Sequence, residues 1–537
     1  MDFFWDRSGS LSALTWLSAP IFLALVLLYV YSVSTDVPKI KGIPELPGAL
    51  PFVGNLHQHA GASGVNDSRL WSEWSKKLGS DLLQVRFGRS RVVIANSYDL
   101  VKEIFITNGN LTSTRPKQHI FEKYVGYDLG SHSLDANFKP QRMAGMKALK
   151  ASQWPSFYPG LDREGDRMVV NLAEEGDYGR KAVNPLKMLQ IVAMNLAFQI
   201  TFGVRFDNAA DPWLREYIDN AMIITTVRGA SNTWSDFVPL LRLHPKFHRM
   251  GKIGQAASEK RSMMVMKLLE DLKARLAAGD QADCVAASVL QDRENNLTLP
   301  NAIKCCTSML QGSTESLPSH LCGGLGGLVS PEGEEIQQKA YADIMETYPN
   351  GDAAKHAFDE EKVPYVVALY KEILRNYTVL PFSLPHSAAS DVRLKSGIVI
   401  PQGTRLYMNS EAANHDEAIY GPTSAIFDPE RWLASKVEGV GHCAYGLGSR
   451  ICPAWSITNR MMYGLLMRMI LAFEIRMDPD DPPPPSYETF GANPEGALNS
   501  PKPFKVYFVP RDENELRNFV QKTKAQTSEP KAASLQT

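Results

Sequence analysis

The sequence predicts a mainly α fold with small β-sheets, preceded by one N-terminal transmembrane helix. Three observations lead there. Residues 11–33, LSALTWLSAPIFLALVLLYVYSV, carry no charge. As a helix they rise about 35 Å, against a hydrocarbon core of about 30 Å. From about residue 165 to 380, apolar residues recur at helical spacing, as in SEKRSMMVMKLLEDLKARLAAG with its closing glycine stop. Strand-like, β-branched stretches are short and confined to the two flanks of that region.

Taken in order, residues 1–10 form a short N-terminal segment that the anchor leaves on the lumenal side. Asp2, Asp6 and Arg7 precede the apolar run at 11–33, whereas Lys39 and Lys41 follow it. The positive-inside rule therefore puts the bulk of the chain in the cytosol. A cleaved signal peptide has a shorter apolar core, about 7–15 residues. Residues 34–55 hold Pro38, Pro44, Pro47 and Pro51, which fix φ and remove backbone donors, and so read as a stiff, non-helical hinge. The globular part is expected over 56–511. It opens with LLQVRFGRSRVVIANS, two strands around a glycine turn, and a helix at SYDLVKEIFITNG. After the helical middle come strand-and-turn material at DVRLKSGIVIPQGTRLYMN, an apolar helix at ITNRMMYGLLMRMILAFEI, the break DPDDPPPPS and a last strand FKVYFVP. The polar tail, 512–537, is expected to stay unstructured.

Composition excludes several functions. The 537 residues carry 57 Lys+Arg against 58 Asp+Glu, a balance that gives nucleic acid no electrostatic footprint. The six cysteines form no CxxC pair, which argues against a zinc site and a disulfide framework and for a reducing environment. Cys305, Cys306 and Cys322 read as small buried hydrophobes. Cys452 differs, because it lies in YGLGSRICPAW. Gly446 and Gly448 allow a tight turn and a close approach to a flat ligand. Arg450 supplies a fixed cation, and a helix opens just after the thiol. Both the cation and the helix N-terminus favour thiolate.

This segment resembles the haem-ligand loop of the cytochrome P450 superfamily, Phe-x-x-Gly-x-Arg-x-Cys-x-Gly/Ala, with Tyr445 in the Phe position and Ala454 at the end. The resemblance implies Cys452 as axial ligand of a haem b iron and Arg450 as a donor to the haem propionates. FKPQR is similar to the family's Trp-x-x-x-Arg helix, which adds Arg142, and SLPHSAASD resembles the segment that supplies His386. KEILR and FDPERW imply a buried network of Glu372, Arg375 and Arg431. A second Glu-x-x-Arg string, at Glu164 and Arg167, reads as a solvated surface pair.

The family's oxygen-activating helix carries an acid beside a hydroxyl; the matching stretch here is LQGSTESLPSHLCGGLGGL. Two registers compete. Aligning Gln311-Gly312 with the family's Ala-Gly puts Thr314 at the acid position and Glu315 at the alcohol position. Sliding by one makes Glu315 the acid and Ser316 the alcohol, which keeps a proton donor next to a hydroxyl, and this register is preferred. Pro318 removes a backbone donor and opens a kink.

VPKIKGIPELPGALPFVGNL, ITNRMMY, SPEGEEIQQKAY and PKPFKVYFVPRDE further resemble the fungal group that includes phenylacetate hydroxylases. The resemblance implies a monooxygenase anchored in the endoplasmic reticulum membrane by a single pass. Its electrons would come from NADPH through a separate NADPH–cytochrome P450 reductase, with cytochrome b5 as an additional donor. Its substrate would be a small aromatic or aromatic amino-acid-derived molecule, in fungal secondary metabolism. Alternatives are a haem-thiolate isomerase or dehydratase that uses no dioxygen, a catabolic phenylacetate-type hydroxylase, and a non-enzymatic membrane partner protein.

Overall fold

A computed structural model describes residues 8–61, 66–208, 210–433, 441–491 and 497–527. The apolar run falls inside one helix, α1 (Ser8–Val33). The side chains of residues 1–20 lie outside the described residues, as does all structure of residues 1–7. From Ile21 to Val33 the large apolar side chains of α1 are exposed. Among the described residues no helix is long and apolar enough to cross a membrane.

The proline-rich segment is non-helical, but it is not a free hinge. Val37, Ile40, Ile43 and Leu46 are buried. The amide of Gln84 donates to the carbonyls of Ile40 and Ile43 at 2.8 and 2.6 Å, and its Oε1 accepts from Ile40 N–H at 3.0 Å. Four apolar side chains at roughly three-residue spacing give the segment a face to bury, so from Val37 onward it belongs to the globule.

Helix α2 (Asp67–Leu78) is capped by Asn66, which accepts from Ser68 N–H, and stops at Gly79 with φ +61°. Strands β1 (Leu82–Phe87) and β2 (Ser90–Ala95) pair antiparallel around Gly88, as the sequence predicts. Every side chain in both is buried, the pattern of strands covered on two faces.

The helical middle comprises α3 (Phe138–Ala148), α4 (Trp154–Glu175), α5 (Leu186–Phe202), α6 (Pro212–Val227), α7 (Pro245–Ala277), α8 (Leu299–Ser313), α9 (Ser316–Leu328) and α10 (Pro364–Asn376), with shorter helices between them. Helix α6 packs on α7, α4 on α5, and α8 and α9 both on α5. The buried faces of α3, α4, α5, α8, α9 and α10 meet in one large core that includes Cys305 and Cys322; those of α6 and α7 form a second cluster with Cys306 and Phe198.

The later strands are β3 (His386–Ser387), β4 (Val392–Arg393), β5 (Val399–Ile400) and β6 (Arg405–Met408). They complete a four-stranded sheet of order β1-β2-β6-β3 and a separate β4-β5 hairpin. Helix α11 (Trp455–Ala472) ends before the phenylalanine of LAFEI. Phe473–Met477 is strand β7, whose first three residues the sequence predicts as helix, and it pairs antiparallel with β8 (Val506–Pro510). Phe473 and Ile475 alternate inward, and that strand pairing outweighs the helical run-on of the apolar pattern.

The tail is a correction too. Glu513–Thr527 forms helix α12, which packs on α4 with Leu516 and Val520 buried. Two apolar residues at i and i+4 suffice because Arg517 lies over the Tyr178 ring at 3.8 Å and Lys524 pairs with Glu174. Residues 528–537 lie outside the described residues.

Candidate active site

The cysteine loop is set by backbone bonds between its ends. Cys452 N–H donates to Tyr445 C=O at 2.8 Å, Ile451 N–H to Gly448 C=O at 3.1 Å, and Trp455 N–H to Cys452 C=O at 3.3 Å, where α11 begins. Gly448 has φ +65°, and a Cβ there would lie 1.9 Å from the carbonyl oxygen of Phe105. Only glycine fits that approach. The Tyr445 hydroxyl donates to Asn459 Oδ1 at 2.7 Å, so the phenol is anchored to α11.

Cys452 is half-buried, and desolvation pushes its thiol up; the N–H of Ala454 and the charge of Arg142 work against that. The arginine acting on the thiol is therefore Arg142 of α3 rather than Arg450, the neighbour expected from spacing. Arg142 donates to Ile451 C=O at 2.7 Å, which holds α3 against the loop. Burial of the free thiol outweighs both aids. A bound metal cation reverses this balance, since a coordinating thiol is deprotonated outright.

Arg450 donates through Nε to Ser113 C=O at 2.7 Å, and its guanidinium lies 3.9 Å from the centre of the Phe138 ring. Its Nη1 and Nη2 are buried with no hydrogen-bond partner among the described residues. Arg115 stands in its field, donating to the carbonyls of Gly130, Leu384 and Pro385. Burial first, then Arg450, lowers Arg115 to about 9; burial first, then Arg142, lowers Arg450 to about 10. Three guanidiniums converging in a desolvated region repel one another and call for an anion. The reading of the sequence missed Arg115. Its only sequence signal was an arginine before a proline in STRPKQ.

His386 is buried on β3, with its Nδ1 2.7 Å from Thr112 C=O and its ring edge-on to Phe105. Burial, followed by the charge of Arg115, holds it well below the usual histidine range, so the imidazole is neutral. With Nδ1–H given to Thr112, the neutral ring presents a lone pair at Nε2. It can donate to a carboxylate only as imidazolium.

Glu372 and Arg375 share one face of α10 and are fully buried. Two bonds join them at 2.6 and 2.8 Å, and Arg431 Nε reaches Glu372 at 3.2 Å. Trp432 Nε1–H and the N–H of Asp428 also donate to Glu372, while Arg375 donates to the carbonyls of Asn414, Ser424 and Ile426. Every lone pair has a partner, the condition under which a buried ion network is tolerated. The other Glu-x-x-Arg string is not a surface pair. Glu164 is buried and bonds Arg205 at 2.8 Å, and Arg167 donates to Asp207 C=O. Arg205, far along the chain, supplies a buried partner that local spacing could not show.

The central helix is interrupted where α8 ends and α9 begins. Ser313, Thr314 and Ser316 each turn a hydroxyl back to the carbonyl four residues earlier, which bends helices. Pro318 has no N–H for the Thr314 carbonyl; Gln190 Nε2 bonds that carbonyl instead, at 3.3 Å. The kink expected from Pro318 is thus a full break at 314–315. Glu315 sits in it, with Oε1 accepting from Ser500 Oγ at 3.2 Å and Oε2 buried without a partner among the described residues. Burial raises its pKa against the neighbouring Thr225 and Ser500 hydroxyls. The Ser316 hydroxyl spans the break to Gly312 C=O. Gln311 ties α8 to α6, donating to Ala221 C=O at 3.1 Å and to Thr225 Oγ1 at 3.2 Å.

The residues present therefore fit a haem: one half-buried thiol on a glycine loop, with unpartnered guanidinium donors beside it for two carboxylates. Comparison with known sequences agrees. Residues 44–508 match the family described as Cytochrome P450. The chain is 35% identical to the phenylacetate 2-hydroxylase of Emericella nidulans over 92% of this chain and 95% of that protein. It is 29% identical to the 3-hydroxyphenylacetate 6-hydroxylase of the same organism, over 94% and 96%. It is 23% identical to the tryptamine 4-monooxygenase of Psilocybe cyanescens, over 89% and 94%. The match over most of its length, with which the cysteine loop and the buried glutamate–arginine network agree, shows that this chain belongs to the cytochrome P450 family and is a monooxygenase, an oxidoreductase.

Proposed function

We propose that this monooxygenase hydroxylates an arylacetic acid or a closely related small aromatic molecule, with electrons passed from NADPH by a separate reductase. The observation that carries the haem site is the pair of unpartnered nitrogens on Arg450, two residues from Cys452 in one loop. Cys452 would bind the iron of haem b through its thiolate, and Arg450 and Arg115, with Arg142, would hold the propionates. Bound there, haem supplies the oxygen-activating chemistry that side chains lack. The Cys452 thiolate supports it by donating electron density.

The remaining work falls to the chain. Glu315, whose pKa burial raises, is the proton donor, and Ser316 stands beside it across the helix break. Gln311 holds α6 against the helix that leads into the break. The aromatic acid class is supported by the two arylacetate hydroxylases among the relatives. Helix α1, with its exposed apolar side chains, anchors the protein in the endoplasmic reticulum membrane with the catalytic part cytosolic. Cytochrome b5 is a second electron donor, and fungal secondary metabolism is the setting.

The test is reconstitution with an NADPH–cytochrome P450 reductase and phenylacetate. Hydroxylated product formed in step with NADPH consumption is expected. Conversion of substrate with no NADPH consumed would replace this reading with an isomerase or dehydratase.

A further inference from the structure

The break between α8 and α9 leaves Glu315 without a helix to aim it. Its backbone, at φ −125° and ψ −29°, lies outside the helical well, so the helical ladder does not set the direction of its side chain. General acid catalysis needs the acid within hydrogen-bond reach of its target, and a carboxyl free to swing meets that condition only part of the time. Another segment must hold it.

The stretch 499–502 supplies that hold. Ser500 Oγ donates to Glu315 Oε1 at 3.2 Å. The backbone is braced on both sides of the serine: Asn499 N–H donates to Val379 C=O at 2.7 Å, Pro501 pairs antiparallel with Gly491, and Lys502 N–H donates to Phe490 C=O at 2.8 Å. Pro501 also biases Ser500 toward extended backbone. Phe490 is buried, with its ring centre 4.9 Å from that of Tyr377. Tyr377 in turn covers Gly323 of α9, where a Cβ would lie 2.5 Å from the ring. Donor and acceptor are therefore fixed to the same helix, Glu315 through the chain and Ser500 through Phe490 and Tyr377.

A hydroxyl that donates to one oxygen of a carboxylic acid selects that oxygen as the carbonyl and leaves the acid proton on the other. Here Oε1 is the acceptor, and Oε2 has no partner among the described residues. The same bond acts on acidity. Burial raises the pKa of Glu315, and the Thr225 and Ser500 hydroxyls oppose it; no charged group among the described residues adds to these three causes.

We infer that Ser500 is a positioning residue for the proton donor: its hydroxyl holds Glu315 across the helix break, makes Oε1 the carbonyl oxygen and keeps the transferable proton on Oε2. This rests on the reading of Glu315 as the proton donor given above. The test compares haem-loaded wild type, Ser500→Ala and Ser500→Thr by infrared difference spectroscopy across pH, with Glu315→Gln as the blank that identifies the carboxyl band. In Ser500→Ala the carbonyl band of protonated Glu315 is expected at higher frequency, because a hydrogen bond to it is gone. Its titration midpoint is expected at higher pH, because that bond favoured the charged form. Ser500→Thr keeps a hydroxyl and is expected to restore both. With reductase and phenylacetate, product formed per NADPH is expected to fall roughly two- to tenfold in Ser500→Ala, the equivalent of one hydrogen bond, and to recover in Ser500→Thr. The infrared comparison needs no substrate, so it decides the assignment even if phenylacetate is not turned over. An unchanged band and midpoint in Ser500→Ala, unchanged product per NADPH, or a loss that Ser500→Thr does not restore would overturn the assignment and leave Glu315 as the donor. A Glu315→Gln variant that forms as much product per NADPH as the wild type would remove the donor and the role of Ser500 together.

Discussion

Glu315 shows how much a single residue can be read in advance. The sequence pairs it with Ser316 as acid and alcohol, and the structure puts it at the helix break, half-buried, with one buried oxygen unpartnered among the described residues. What the sequence could not show is that Ser316 spends its hydroxyl on Gly312, or that Ser500, from a distant loop, bonds Glu315. The first is a local turn-back onto the carbonyl four residues earlier, whereas the second depends on a chain crossing that no local pattern encodes. Glu315→Ala and Ser316→Ala are expected to retain haem but consume NADPH without matching product, measured as the ratio of the two. Removing Glu372 by Glu372→Ala leaves Arg375 charged and buried. A loss of about 3–5 kcal/mol in unfolding free energy is expected by thermal or denaturant melts. Glu411 gives a pH signature. Burial lifts its pKa from 4.5 to about 7, against the charge of Arg69. Its folded value is above its unfolded one, so its contribution to stability is full below about pH 4.5 and is lost as the pH rises through 7, about 3 kcal/mol in all. Glu411→Gln is expected to flatten that part of the stability–pH curve.

At the scale of elements, the cysteine loop and the first hairpin were legible because their signals are local: glycines at tight turns and alternating β-branched residues. Helix ends and packed tails were not. The strand Phe473–Met477 continues the apolar pattern of α11, and only its pairing with Val506–Pro510 marks the change. Helix α12 buries Leu516 and Val520, with Phe519 half-buried beside them, too few for a sequence pattern but enough with α4 beneath them. Ending the chain at Asp512 is expected to lower the melting temperature of the haem-loaded protein by several degrees, at about 1–3 kcal/mol for each lost apolar side chain. In the loop, Gly448→Ala forces a Cβ onto the Phe105 carbonyl at a left-handed φ. That strain is of order 1–3 kcal/mol, and the expected outcome is reduced haem incorporation, measured as the ratio of Soret to protein absorbance.

Across the whole molecule, the mainly helical architecture followed from periodicity alone, whereas the convergence of Arg115, Arg142 and Arg450 did not. These three arginines come from separate segments and meet only when α3 packs on the cysteine loop. Their mutual repulsion, together with the unpartnered nitrogens of Arg450, is the clearest sign in the fold that an anionic cofactor completes the structure. The membrane proposal is tested at the same scale. Removing residues 1–33 is expected to release the protein from the membrane fraction with its haem spectrum intact. The most direct test of the central claim, that Cys452 is the thiolate ligand, is the carbon monoxide difference spectrum of the reduced protein beside that of Cys452→Ser. The account predicts a strongly red-shifted Soret band in the wild type and its loss in the variant. A folded, haem-loaded wild type without that band, or a variant that keeps it, would contradict the account.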